Sequence, residues 1–84
     1  MESRALLTFY GRNYCHLCDD LLAALEQLRG EFVFEVTVID VDVDPMLSAR
    51  FDELVPVLLG NDGLELCHHH LDTPKVREYL SRFR

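Results

Sequence analysis

The side chains with the most chemistry to offer are two cysteines set three apart, in Cys15-His16-Leu17-Cys18. At the start of a helix, residues with this spacing lie on one face about a turn apart, within reach of an S–S bond of roughly 2.05 Å. Such a pair can store two electrons by opening and closing. A helix N-terminus also presents unpaired backbone N–H groups and the positive end of the helix dipole, which favour thiolate over thiol. Cys15 is therefore the candidate nucleophile. Cys18, one turn further in and less exposed, is the candidate resolving thiol, which attacks a mixed disulfide on Cys15 and releases the reduced partner. A protonated His16 supports the thiolate, whereas Asp19 and Asp20 oppose it. Zinc asks for four N or S ligands, and the sequence has no second CxxC and no HxxxH.

A second unusual run is Cys67-His68-His69-His70. Adjacent side chains on an extended segment point to alternate sides, so only His68 and His70 could share a ligand, with Cys67 nearby. A metal or iron–sulfur carrier built from Cys15 with Cys67, His68 or His70 is one reading. The plainer one is a polar loop with one packed histidine and a buried strand-end thiol; a regulatory disulfide through Cys67 is a third. Asp40, Asp42 and Asp44 alternate with valines, the pattern of a solvated face at a strand's exit rather than of a calcium site.

These groups must be positioned by a small frame. At 84 residues, one domain spanning 1–84 is expected, since chains this short bury only about 60% of their unfolded surface and cannot usefully be divided. Hydrophobic residues at 49% suit a packed core rather than a disordered tail. A net charge of −7 repels phosphate backbones and anionic lipid, so neither nucleic acid nor membrane is expected as a partner. Apolar runs fall short of the roughly 18 residues of a membrane span, and Met1-Glu2-Ser3-Arg4 leads into a strand-like segment without a signal-peptide core. With the odd cysteine count, this gives a cytoplasmic expectation, with a monomer as the default.

Residues 4–10 read as a strand buried on both faces. Leu17, Leu21, Ala24, Leu25 and Leu28 then mark an amphipathic helix starting beside Cys15 and closed by Gly30 at C′. The β-branched and aromatic run 32–39 predicts an interior strand. Asp44-Pro45 reads as an N-cap with N1 proline, opening a short helix with Leu47, Phe51 and Leu54 on one face and stopped by Val55-Pro56. Residues 57–59 and 64–67 predict a hairpin across Gly60-Asn61-Asp62-Gly63. Asp72-Thr73-Pro74 announces a last helix, again with N1 proline, carrying Val76, Tyr79, Leu80 and Phe83 and running almost to the terminus. The order is β-α-β-α-β-β-α, an α/β fold with a right-handed crossover, a four-stranded mixed sheet and helices on both faces.

With CxxC at the first strand–helix junction and Val-Pro entering the third strand, the chain resembles the thioredoxin fold and, within it, the glutaredoxins. Thr-Phe-Tyr-Gly-Arg-Asn-Tyr-Cys-His-Leu-Cys-Asp and Val-Pro-Val-Leu are similar to segments of short bacterial glutaredoxin-like proteins. The resemblance implies thiol-disulfide exchange with a protein or a low-molecular-weight thiol, no required cofactor, and glutathione as an optional co-substrate. It further implies a cis Val55-Pro56 bond beside the cysteines, with the Val55 backbone free to pair with a peptide or glutathione. Arg12 stands where glutaredoxins carry a basic residue that supports the thiolate and a glutathione carboxylate; the alternative is a solvated loop cation. Tyr14 either walls the site or packs on it. With His16 and Asp72, these residues complete the expected substrate-binding set, and no metal ligand is assigned. His16-Leu17 inside the motif, Leu54 in place of a threonine, and the absence of a Gly-Gly pair before Asp72 depart from the glutaredoxin pattern. A partner-binding module without catalysis is the competing class, and the electron donor, glutathione or a reductase, is left open.

Overall fold

The computed structural model describes residues 4–61 and 63–83. Met1–Ser3, and Asp62 of the expected turn, lie outside the described residues. Strand β1 (Ala5–Gly11) leads into helix α1 (His16–Glu26), which tightens into a 3-10 turn at Gln27–Gly30 before strand β2 (Phe34–Asp40). A second 3-10 turn (Val41–Val43) and helix α2 (Pro45–Phe51) connect to β3 (Val57–Leu59), β4 (Glu65–His68) and helix α3 (Thr73–Ser81). The sheet order is β2-β1-β3-β4, with β1 and β2 parallel and the remaining pairings antiparallel.

One face of β1, through Ala5, Leu7 and Phe9, packs with Leu21 and Leu25 of α1 and Val76, Tyr79 and Leu80 of α3 in the larger core. The opposite face holds a smaller core of Val41, Phe51 and Val57, against which Tyr10, Leu47 and Leu59 pack. Helices thus cover both faces, but unequally. Seven-residue α2 leaves Leu6 half exposed, so β1 is fully buried on one face only. Nor is β2 interior: among the described strands it lies at the edge, paired with β1, and Val33 and Val38 are solvent-facing. An apolar run reads alike for central and edge strands, and Phe32 and Phe34, which are buried, account for the hydrophobic signal here.

Gly30 does not close α1 with a left-handed residue; the only glycine at positive φ among those described is Gly63, at 81°, in the β3–β4 turn. Leu54 lies past the end of α2, its backbone N–H bonded to the Phe51 carbonyl. Pro74 is the second residue of α3, after Thr73. The caps themselves form as the chemistry requires. Asp44 accepts from Met46 N–H at 2.9 Å, and Asp72 accepts from Lys75 N–H at 3.2 Å.

Tyr79 ties α3 to the β3–β4 turn. Its hydroxyl donates to Asn61 Oδ1 at 2.7 Å and accepts from Asn61 N–H at 2.6 Å, while Asn61 Oδ1 also accepts from Leu6 N–H at 2.8 Å. Gly60 is needed here because a Cβ would stand 2.7 Å from the tyrosine ring. Tyr79→Phe keeps the ring but leaves the Asn61 amide without its acceptor, and is expected to lower stability by about 1–2 kcal/mol. Urea denaturation checks this: a lower midpoint at unchanged slope is the expected result.

Candidate active site

The C-terminal ends of β1 and β2, the start of β3 and the end of β4 lie at one end of the sheet, because β1 and β2 are parallel and β3 is antiparallel to both its neighbours. The loops that leave this end bring together residues far apart in sequence. Cys15 is the N-cap of α1, and its sulfur accepts from Cys18 N–H at 3.1 Å. Cys15 and Cys18 are joined by a disulfide, with Cα atoms 5.2 Å apart. Cys15 is half-buried, whereas Cys18 is 3% exposed within the main core. One sulfur therefore faces attack from outside and the other sits beneath it.

Gly11 makes room for that buried sulfur. A Cβ at position 11 would lie 3.2 Å from Cys18 Sγ and 2.8 Å from the Phe9 ring. His16 and Leu17 are both exposed on the first turn of α1. Tyr14 projects fully into solvent, and its backbone adopts a φ of 58°, a left-handed conformation that few non-glycine residues hold. It therefore packs on nothing in the described structure, and the choice between wall and packing residue resolves to an exposed ring beside Cys15.

Val55 and Pro56 are joined by a cis peptide bond. Val55 is not free on both backbone groups, however, since its N–H donates to the Phe51 carbonyl at 3.0 Å. The segment before it is held from two sides. Arg12 bonds Asp52 Oδ1 at 2.9 Å and Asp42 Oδ1 at 3.2 Å, and the Asp52 hydrogen bond, with the neighbouring carboxylates, raises the guanidinium pKa further. From the other flank, His69 Nε2 meets the Glu53 carbonyl at 2.7 Å and His69 N–H donates to the Pro56 carbonyl at 2.8 Å. Because a carbonyl only accepts, His69 carries its proton on Nε2.

His69 has a φ of 65°, so the three histidines do not continue an extended strand. His68 pairs with Glu65 at 3.1 Å, and its ring meets that of His69 edge-on. Among the described residues, no group of three or more His, Cys, Asp or Glu is gathered to hold a metal. The aspartates at the β2 exit have separate tasks: Asp40 accepts from Asp42 N–H, Asp42 pairs with Arg12, and Asp44 caps α2. Sequence reasoning missed Asp42, Asp52 and His69 as the residues that fix the site loops. Arg12 and Asp52 are 40 residues apart, and no local pattern signals such a contact.

Cys67 is buried at the end of β4, and burial pushes its thiol above the ordinary value of 9.0, opposed by the backbone N–H of Asp72. Above about pH 9 the unfolded chain releases a proton that the folded chain keeps, so stability present below that pH falls as pH rises toward the folded pKa. Cys67→Ser, which removes this titration, is expected to flatten the decline. Urea midpoints of both proteins between pH 7.5 and 10 check it, identical pH profiles being the contrary result.

The glutaredoxin-like domain (DUF836) family model matches residues 6–81. Protein Ne2328 from Nitrosomonas europaea, whose solution structure is known, is 37% identical, covers 95% of each chain and superposes with a TM-score of 0.85. The uncharacterized protein Rv0508 of Mycobacterium tuberculosis is 32% identical over 85 residues, 95% of this chain and 87% of its own. Fasciola hepatica thioredoxin, 22% identical, covers 99% of this chain and 84% of its own with a TM-score of 0.63, a likeness of fold. The fold and site thus define a small thioredoxin-fold protein with a CxxC pair of redox type. Within that class the chain belongs to the glutaredoxin-like domain family.

Proposed function

We propose that the protein is a thiol-disulfide oxidoreductase that exchanges disulfides with a protein or a low-molecular-weight thiol. The observation that carries this reading is the Cys15–Cys18 disulfide at the N-terminus of α1, with a half-buried sulfur outside and a buried one within. In the reduced chain, the Cys15 thiolate attacks one sulfur of a substrate disulfide. That S–S bond breaks, a mixed disulfide forms on Cys15, and the first substrate thiolate leaves and takes a proton. Cys18, as thiolate, then attacks the Cys15 sulfur, and the second substrate thiolate departs. The substrate has gained two electrons, and the chain is left as the Cys15–Cys18 disulfide. Run backwards, the same steps oxidise a dithiol.

The N–H that Cys18 directs at Cys15 Sγ stabilises negative charge there, and α1 adds its dipole. Exposed His16 adds to this when protonated. Half-buried Val55 lines the groove above buried Pro56, with the Val55 carbonyl offered to a substrate backbone. Tyr14 flanks the entrance, and Arg12 and Asp72 brace the loops around it. The reading requires no resident cofactor, takes glutathione as an optional co-substrate, and places a monomer in the cytoplasm; no described helix is long and apolar enough to cross a membrane.

The test is capture of the intermediate. Reduced Cys18→Ser treated with 4,4′-dithiodipyridine should accumulate a one-to-one adduct on Cys15, whereas the native chain releases both thiopyridones and ends as the disulfide. Mass spectrometry reads both. An adduct on Cys67 alone, or none, would contradict the assignment.

A further inference from the structure

Resting on the exchange reading, we infer that the preferred substrate is a protein disulfide flanked by cationic side chains, and that small anionic disulfides such as oxidised glutathione, though accepted, react more slowly. A disulfide carrying carboxylates needs cations or free helix N-termini to hold it, and apart from exposed His16 the features of this kind around Cys15 are answered within the chain itself. Arg12 is committed to Asp42 and Asp52. The N-terminus of α3 is closed by the Asp72 carboxylate on Lys75 N–H, which also sets a negative charge one turn from the Lys75 side chain. The N-terminus of α1 is occupied by Cys15 Sγ itself.

What faces solvent near the cysteines favours the opposite charge. Asp19 and Asp20 are exposed on α1 directly after Cys18, and the whole chain carries −7. Tyr14, beside the nucleophile, presents its ring fully to water from a left-handed backbone. An aromatic face of this kind attracts lysine and arginine side chains, and exposed Leu17 extends the apolar contact. A peptide with basic residues around its cystine meets both the ring and the negative field, which also steers its encounter.

The experiment uses the full reduced chain and symmetric disulfides of two short peptides that differ only in lysine or glutamate around cysteine, together with oxidised glutathione. Each rate is divided by that of the same disulfide with 2-mercaptoethanol, and neutral 4,4′-dithiodipyridine serves as reference. At an ionic strength of about 0.01 M, the lysine peptide should exceed the glutamate peptide and glutathione by about tenfold or more. The ratio should shrink toward one near 0.5 M, where the screening length falls to only a few ångströms. Asp42→Asn combined with Asp52→Asn, by releasing Arg12, should raise the glutathione rate; if that variant does not fold, the salt series on the native chain decides. Equal normalised rates, a ratio insensitive to salt, or glutathione as the fastest substrate would overturn the charge preference while leaving exchange intact. No reaction with any disulfide, the neutral one included, would overturn both.

Discussion

Cys15→Ser is expected to bring disulfide turnover down to the uncatalysed background while leaving the fold in place. Serine is among the preferred N-cap residues, so its hydroxyl can take over the hydrogen bond that Cys15 Sγ accepts from Cys18 N–H, and α1 keeps its start. What is lost is the sulfur. A hydroxyl is a far weaker nucleophile than a thiolate and forms no mixed disulfide, so neither half of the exchange can begin. Cys18→Ser separates the steps, keeping the first attack and losing the second. Stopped-flow release of thiopyridone, read beside far-UV circular dichroism, should show no burst for Cys15→Ser, one equivalent for Cys18→Ser and two for the native chain. A full burst from Cys15→Ser would mean that one of the two remaining thiols, Cys18 or Cys67, performs the chemistry.

The largest effect on stability is expected from Phe9→Ala. Phe9 is 1% exposed in the centre of β1, opposite Val38 on β2 and Leu58 on β3, and its ring lies against the space that Gly11 leaves open beside Cys18. Removing the ring forfeits its burial and opens a cavity that close-packed neighbours fill only in part, at about 3–5 kcal/mol. A domain of this size has on the order of 4–12 kcal/mol in total, so much of the population could unfold. Val38→Ala is the control. It shares the register row with Phe9 but is 61% exposed on the edge strand, and a change within about 0.5 kcal/mol is expected. Urea denaturation of the two variants decides; similar losses would mean that the edge of β2 is more deeply packed than the structure shows.

The contrast between these two residues also shows what could be read from the sequence. The element order, the caps at Asp44 and Asp72 and the CxxC pair at a strand–helix junction were legible because each is a local pattern with a local cause: an aspartate beside a proline, a cysteine spacing, a period of two or of three and four. Strand position in the sheet is not local. Phe9 and Val38 both sit in β-branched and aromatic runs, and only the pairing of β1 on both sides and β2 on one makes the first central and the second peripheral. The same holds for the site. Cys15 and Cys18 announce themselves, but the pairing of Arg12 with Asp42 and Asp52, and of His69 with Glu53 and Pro56, depends on loops that meet only after the sheet has formed. The left-handed backbone of Tyr14 belongs to a residue whose type gives no hint of it, and that of His69 to a type only mildly prone to it.

The most direct measurement is an equilibrium titration of the Cys15–Cys18 couple against glutathione redox buffers, with free thiols counted by alkylation and mass. A reversible two-electron couple with a midpoint between about −270 and −120 mV, the span of thiol-disulfide oxidoreductases, is the expected result, and its place in that span tells whether the protein reduces or oxidises its partners. Failure of a Cys15–Cys18 disulfide to form at any poise would contradict the proposed exchange.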